Sequence, residues 1–371
     1  MTQKPAIYER FLLTPGPLTT SIAVRQAALV DWGSWDEDFN ALTAQVRQGL
    51  IQAAGAGDTL TCVPLQGSGT FAVEAAVRTF IPRNGGLVVA VNGAYGVRMA
   101  RLAEMAGLRV RTVEYGSNEP INPDQLADVL QQLPGFTHVG VVHCETSTGL
   151  LNPLAAVADA VGQAGGRLLI DAMSTLGALE VPAAHPAVTA VVASSGKCLE
   201  GLPGVGFVFA TPEALQEATG RSDSLSLDLA AQYTYMEATG QWRFTPPTHL
   251  VAALAAALRE HEAEGGRAGR LARYQANSAA LATAAQDLGL VNYLPAALQA
   301  PIIHTFFAPN TDTWSFPRFY HLVKQRGFIL YPGKLTTEET FRVGCIGRVT
   351  PEIMYAAVQA IAAALTEMNH R

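Results

Sequence analysis

Cysteine is scarce in this 371-residue chain: there are four (Cys62, Cys144, Cys198 and Cys345), and no two form a CxxC pair. That scatter excludes a zinc site or a disulfide framework, so the thiols are read as reduced, in a cytoplasmic protein with no metal. Charge is also sparse. Charged residues make up 15%, the net charge is −6, and no block of Lys or Arg stands out. A nucleic-acid partner needs clustered basic residues and is excluded on that ground. The longest apolar run, Leu250–Leu258, is far short of the roughly 18 residues of a membrane span. The first residues, "MTQKPAIYERFLLTPGP", have neither an apolar core nor a small-residue cleavage site, which argues against a signal peptide.

What is present is apolar material for a large core, 49% of the residues. Seven short apolar runs read as strands: "TLTCVPL", "GLVVAVN", "RVRTVEY", "HVGVVHC", "RLLIDAM", "VTAVVASS" and "GVGFVFA". Helix-length segments such as "TFAVEAAVRTF" and "LAAVADAVGQAG" separate most of them. Continuous β-branched runs suit strands buried on both faces, as in a parallel sheet under helices. The chain is therefore expected to be α/β, with one antiparallel neighbour where "VTAVVASS" and "GVGFVFA" follow closely. The glycine pair in "HEAEGGRAGR" marks a boundary near residue 262. Beyond it, residues 263–371 read as a smaller α+β domain with strands "PIIHTFFA", "FILYPG" and "TFRVGCIG" and a terminal helix.

Four features carry chemistry together that none carries alone. "VPLQGSGTFAVEAAVRTF" runs strand, Gly-rich turn, helix, an arrangement that can offer N–H groups to a phosphate. It is neither GxGxxG nor a P-loop, so a dinucleotide-dependent oxidoreductase has little support. Asp171 of "GRLLIDAMSTLG" ends an apolar strand, where open α/β sheets bind ligands; a helix cap is the plainer alternative. Lys197 of "VVASSGKCLEG" comes one strand later, and by itself could be a solvated turn residue. Arg342 of "ETFRVGCIG" has the planar fork that suits an acidic group, or a surface ion pair. A lysine amine, a carboxylate and a phosphate cradle are the set that pyridoxal phosphate chemistry requires.

The motifs "TPGPLTT", "QGSGT", "NGAYG", "HCETSTG", "DAMS", "SSGKC", "WRFTPPTH" and "FRVG" resemble, in order and over nearly the whole chain, the fold-type I (class V) pyridoxal-phosphate aminotransferases. The resemblance implies a large cofactor-binding domain over 21–262, a small C-terminal domain, and a segment 1–20 that lines the pocket. It further implies that Lys197 holds the cofactor covalently and then acts as the base, and that Asp171 faces the pyridine nitrogen. Tyr95 would stack on the ring, Thr146 would sit by its phenolic oxygen, and Ser68, Gly69 and Thr70 would bind the phosphate. Thr245 would reach the phosphate of a neighbouring subunit, which makes a homodimer with shared sites. Arg342 would grip the acidic group of the substrate, with Thr14, Pro15 and Gly16 lining its pocket. "WDEDFN", "SLSLDLAAQ" and "YPGK" are most similar to the branch that moves the amine of 2-aminoethylphosphonate to pyruvate, giving phosphonoacetaldehyde and L-alanine. Alanine–glyoxylate or serine–pyruvate transfer is the alternative, and a non-catalytic protein on the same fold the more distant one. His143 is read as a structural strand-end residue. Gly196 departs from the family, whose members often carry an amide side chain before the lysine.

Overall fold

The structure is a computed structural model and describes residues 10–334 and 338–369. Seven strands form its main sheet: β1 (Thr61–Gln66), β2 (Gly86–Val91), β3 (Arg109–Glu114), β4 (His138–Val142), β5 (Arg167–Asp171), β6 (Val188–Ser194) and β7 (Val205–Ala210). Their order is β1-β7-β6-β5-β4-β2-β3. β7 runs against both of its neighbours, and the remaining pairs are parallel. The seven expected runs thus meet in one α/β sheet, and the close pair β6 and β7 supplies the antiparallel step.

The sequence of these strands follows from what they face. Val88, Val139, Val141, Ile170 and Val191 point into one buried core, while Leu87, Val89, Leu169 and Val192 point into a second on the other face. Both sides of the sheet are dry except at the edge strand β3, where Arg109, Arg111 and Glu114 are exposed, so the inner strands need no polar alternation. Helices Glu37–Ala54, Leu154–Gln163 and Thr248–Ala263 cover the first face, and Gly69–Phe80 with Ala94–Met105 covers the second. The helix Glu37–Ala54 shows how the boundaries are encoded. Asp36 caps its start by accepting from Asp38 N (3.2 Å), and Gly55 ends it at φ 64°, a conformation that favours glycine.

The C-terminal residues build a three-stranded sheet in which Thr340–Gly344 lies between Ile303–Phe307 and Tyr331–Pro332. Its aromatic core brings Phe319 and Phe341 to 4.9 Å between ring centroids. The run "FILYPG" is not the single strand expected. Phe328–Ile329 pairs in parallel with Phe11–Leu12, Leu330 turns into the core, and Tyr331–Pro332 joins the other sheet. Residues 11–13 therefore belong to this C-terminal unit, with Leu13 in its core, and the chain then crosses to the main sheet.

A buried ion cluster fastens the two parts. Glu200, in the turn after β6, accepts from Arg273 Nη2 (2.8 Å) and from the Tyr274 hydroxyl (2.7 Å). Arg270 donates to Glu264 (2.8 Å) and to the carbonyl of Cys198, and Arg273 donates to Glu264 (2.6 Å) and to Gly347 O (2.5 Å). Removing one member of such a cluster leaves charge buried without its partner. Arg270→Met should lower unfolding stability in urea by about 3–5 kcal/mol. Removal of the exposed pair Arg101–Glu104 should cost less than about 0.5 kcal/mol by the same measurement.

Candidate active site

Parallel strands that end at one edge bring their following turns together, and five such turns meet here. Asp171 ends β5, Lys197 follows β6, Glu145 and Thr146 follow β4, and Tyr95 opens the helix after β2. Ser68, Gly69 and Thr70 start the helix after β1. A cleft of about 320 Å³ is lined by these residues, Glu145 excepted, and by Gly16, Arg98 and Met173. The expected cofactor group thus shares one wall, except for Thr245. That residue lines a separate surface cavity with Phe71, Trp242 and Phe244.

Lys197 is half-buried, and its Nζ donates to Pro15 O at 2.6 Å. Burial lowers its pKa to about 8, and the Arg342 cation lowers it too, whereas Cys198 and Asp171 act the other way. Asp171 is buried, and burial raises its pKa to about 6 even though Oδ1 accepts from Met173 N (2.9 Å). Its Oδ2 has no partner among the described residues. Here a base is pushed toward its neutral form beside an acid short of a cation.

Gly16 sets the roof over the lysine. Its φ is 117°, and a Cβ there would stand 2.7 Å from both the Lys197 Cδ and the Gly196 carbonyl. Thr14 spends its hydroxyl on Pro17 O and reaches the cleft only through its neighbours, and Pro15 contributes its carbonyl. Arg342 is buried on Thr340–Gly344 and donates through Nε to Pro332 O (2.8 Å) and through Nη1 to Thr146 O (2.6 Å). Thr146 therefore orients the arginine through its backbone, a contact its motif did not announce.

Glu145 is the residue that sequence reasoning missed. It is fully buried and accepts from Tyr95 N (3.1 Å), Ser147 N (3.2 Å) and Ser147 Oγ (2.7 Å), while burial raises its pKa. It fixes the turn that presents Tyr95. The signal was a carboxylate inside "HCETSTG", between two residues that had drawn attention. His143 is buried, paired through Nδ1 with the Thr175 hydroxyl (2.9 Å) and held neutral by burial, its pKa lowered to about 4. That fits a structural strand-end residue.

The family model for class V aminotransferases matches residues 31–333. The chain belongs to the class V aminotransferases. A 2-aminoethylphosphonate–pyruvate transaminase of Pseudomonas fluorescens is 55% identical over 96% of this chain and 97% of its own length. Another of that name, from Pseudomonas aeruginosa, is 53% identical over 96% of each. Among solved structures, an alanine–glyoxylate aminotransferase from Nostoc sp. superposes with a TM-score of 0.89 at 25% identity, covering 98% of both chains. An aspartate aminotransferase from Thermus thermophilus superposes at 0.84 with 27% identity, covering 96% of this chain and 99% of its own. The fold is that of the fold-type I transferases.

Class V aminotransferases work with pyridoxal phosphate, and the residues present fit it. Ser68 caps the helix Gly69–Phe80 without spending its hydroxyl on a capping bond, and the first N–H groups of that helix have no intrahelical acceptor. A phosphate would satisfy the free N–H groups of Gly69 and Thr70. A cationic ring nitrogen would pair with Asp171 Oδ2. Without the cofactor, Lys197 destabilises the fold, because it gives up its proton near pH 8 when folded and near 10.5 when unfolded. The penalty is complete below pH 8 and vanishes as pH rises toward 10.5. Cofactor-free Lys197→Met should therefore gain about 1–3 kcal/mol at pH 7 after loss of the Pro15 bond, and the gain should shrink above pH 8 in thermal melts.

Proposed function

We propose that this chain transfers the amino group of 2-aminoethylphosphonate to pyruvate, forming phosphonoacetaldehyde and L-alanine. The near full-length likeness to transaminases named for that pair carries the reading. A cleft that holds Lys197 and Asp171, with Arg342 bonded to the Thr146 carbonyl on its wall, supports it.

When bound, pyridoxal phosphate supplies an electron sink for the carbon that loses its proton. Ser68, Gly69 and Thr70 would hold its phosphate, Tyr95 its ring face, Thr146 its phenolic edge, Asp171 its ring nitrogen, and Lys197 its aldehyde carbon. The Lys197 amine is partly neutral near pH 8, which suits it to take the proton from the amine-bearing carbon. Asp171, opposite a cation, recovers its charge and keeps the ring nitrogen protonated. Arg342, aimed by two backbone carbonyls, receives the acidic end of each substrate in turn. Gly16 and Pro17 line the cleft beside the lysine.

A homodimer belongs to the same reading. Phe71 is 51% exposed and Phe244 48%, and both line the cavity that holds Thr245. Such a patch suits a second copy, whose phosphate site Thr245 would complete. No described helix is long and apolar enough to cross a membrane, and a cytoplasmic location is part of the proposal.

Incubation with each amine donor and each keto acid tests the activity. 2-Aminoethylphosphonate with pyruvate should yield alanine; turnover with serine or with glyoxylate instead would shift the reading to a sibling activity. Lys197→Ala should abolish turnover and the covalent, borohydride-reducible attachment of pyridoxal phosphate. Phe244→Glu should shift the sedimentation coefficient from dimer toward monomer and weaken pyridoxal phosphate retention. A variant that stays dimeric would separate this surface from the interface.

A further inference from the structure

Arg342 spends two of its five N–H groups on Pro332 O and Thr146 O, which leaves three, one on Nη1 and two on Nη2, for a ligand. That suffices for a carboxylate, with two oxygens and one charge. A phosphonate brings three oxygens and up to two charges, and needs more donors than one guanidinium edge. Two further cations stand nearby. Arg98 Cζ is 4.9 Å from the centroid of the Tyr95 ring, and Lys334 Nζ is 5.2 Å from it.

These two differ in what they already hold. Arg98 donates to Thr70 Oγ1 (3.1 Å), on the side of the helix start assigned to the cofactor phosphate. Lys334 makes no hydrogen bond or ion pair among the described residues. It stands just past the strand pair in which Tyr331 faces Arg342 and Pro332 faces Phe341, so one short hairpin carries both Lys334 and the carbonyl that aims Arg342. Glu145 makes no ion pair with it, its oxygens accepting from Tyr95 N and Ser147, and acts on it only through its charge. Burial, then Arg98 and Arg342, lowers the Lys334 pKa, and Glu145, which acts the other way, does not offset them.

We propose that Lys334 is a specificity-determining residue that binds the second charge of the phosphonate, next to Arg342, and so separates an aminophosphonate from amino acids of similar length. This rests on the proposed transaminase activity. The anion is the substrate's phosphonate rather than the cofactor's phosphate, which the helix start at Ser68 and Arg98 serve.

The test uses the full-length, pyridoxal-phosphate-loaded protein, with melting temperature as a check on folding. Lys334→Ala should raise KM for 2-aminoethylphosphonate about 10- to 100-fold, with kcat within about 3-fold. The L-alanine half-reaction should change by less than about 3-fold, and Lys334→Arg should restore most of the loss. Calorimetry with ethylphosphonate and propionate reads the same preference without turnover, and Lys334→Ala should weaken ethylphosphonate alone. Equal losses for both anions, no loss for either, or weakened retention of pyridoxal phosphate would each overturn the assignment. If the wild-type protein does not turn over 2-aminoethylphosphonate, the activity reading falls. The calorimetric comparison then still decides whether Lys334 selects phosphonates.

Discussion

Glu200 holds the lysine turn in place, and much of the site depends on it. It has a φ of 58°, the one non-glycine residue with positive φ among the described residues, in a conformation that disfavours a side chain. What stabilises it there is a buried carboxylate bonded to Arg273 and Tyr274. Arg270 and Tyr274 add donors to the carbonyl of Cys198, the residue after Lys197. The lysine backbone is thus gripped from behind while its amine faces the cleft. Arg273 also donates to Gly347 O, in the turn that follows the Arg342 strand. One ion cluster therefore relates the position of the amine to that of Arg342. A buried cluster of this kind contributes less to net stability than to a unique geometry.

The cleft itself holds charge that the folded chain does not balance by itself. Asp171 is raised toward neutrality, Lys197 is lowered toward it, and two cations, Arg98 and Lys334, stand by Tyr95 beside Arg342. In the proposed reading each imbalance would be met by a group brought by cofactor or substrate: a ring nitrogen for Asp171, an aldehyde for Lys197, and anions for the cations. The surrounding protein supplies the low dielectric that makes these preferences strong.

The main sheet was legible because its strands are buried on both faces, so each apolar run marks a strand without ambiguity from polar alternation. Asp171 and Lys197 were legible because a strand end followed by a charged residue points to the ligand edge. Other parts were not. "FILYPG" contains no break in apolar character at Leu330, so nothing in it announces that two sheets divide it. Glu145 owes its role to burial against Tyr95, fifty residues away, and no local pattern encodes that contact. The cluster around Glu200 joins residues more than seventy positions apart and looks in the sequence like ordinary helix charge. Thr146 was picked for its side chain, yet its carbonyl aims Arg342 across 196 positions.

Gly196 shows how a departure from a family pattern can be absorbed by packing. A Cβ at this position would lie 3.0 Å from Pro203 Cα and 3.1 Å from Pro203 Cβ, so a larger residue needs that turn to move by a few tenths of an ångström. With glycine, the Pro203 turn sits close over the lysine, and Gly16 approaches the Gly196 carbonyl from the other side. The donors an amide side chain could have given to a phosphate are available elsewhere. Ser68 keeps its hydroxyl free, the helix behind it offers unpaired N–H groups, and Arg98 reaches Thr70 on the same rim. Removal of one donor from a site with several costs less than leaving a buried donor unpaired. The glycine therefore changes the shape of the wall around Lys197 more than the charge the cofactor meets.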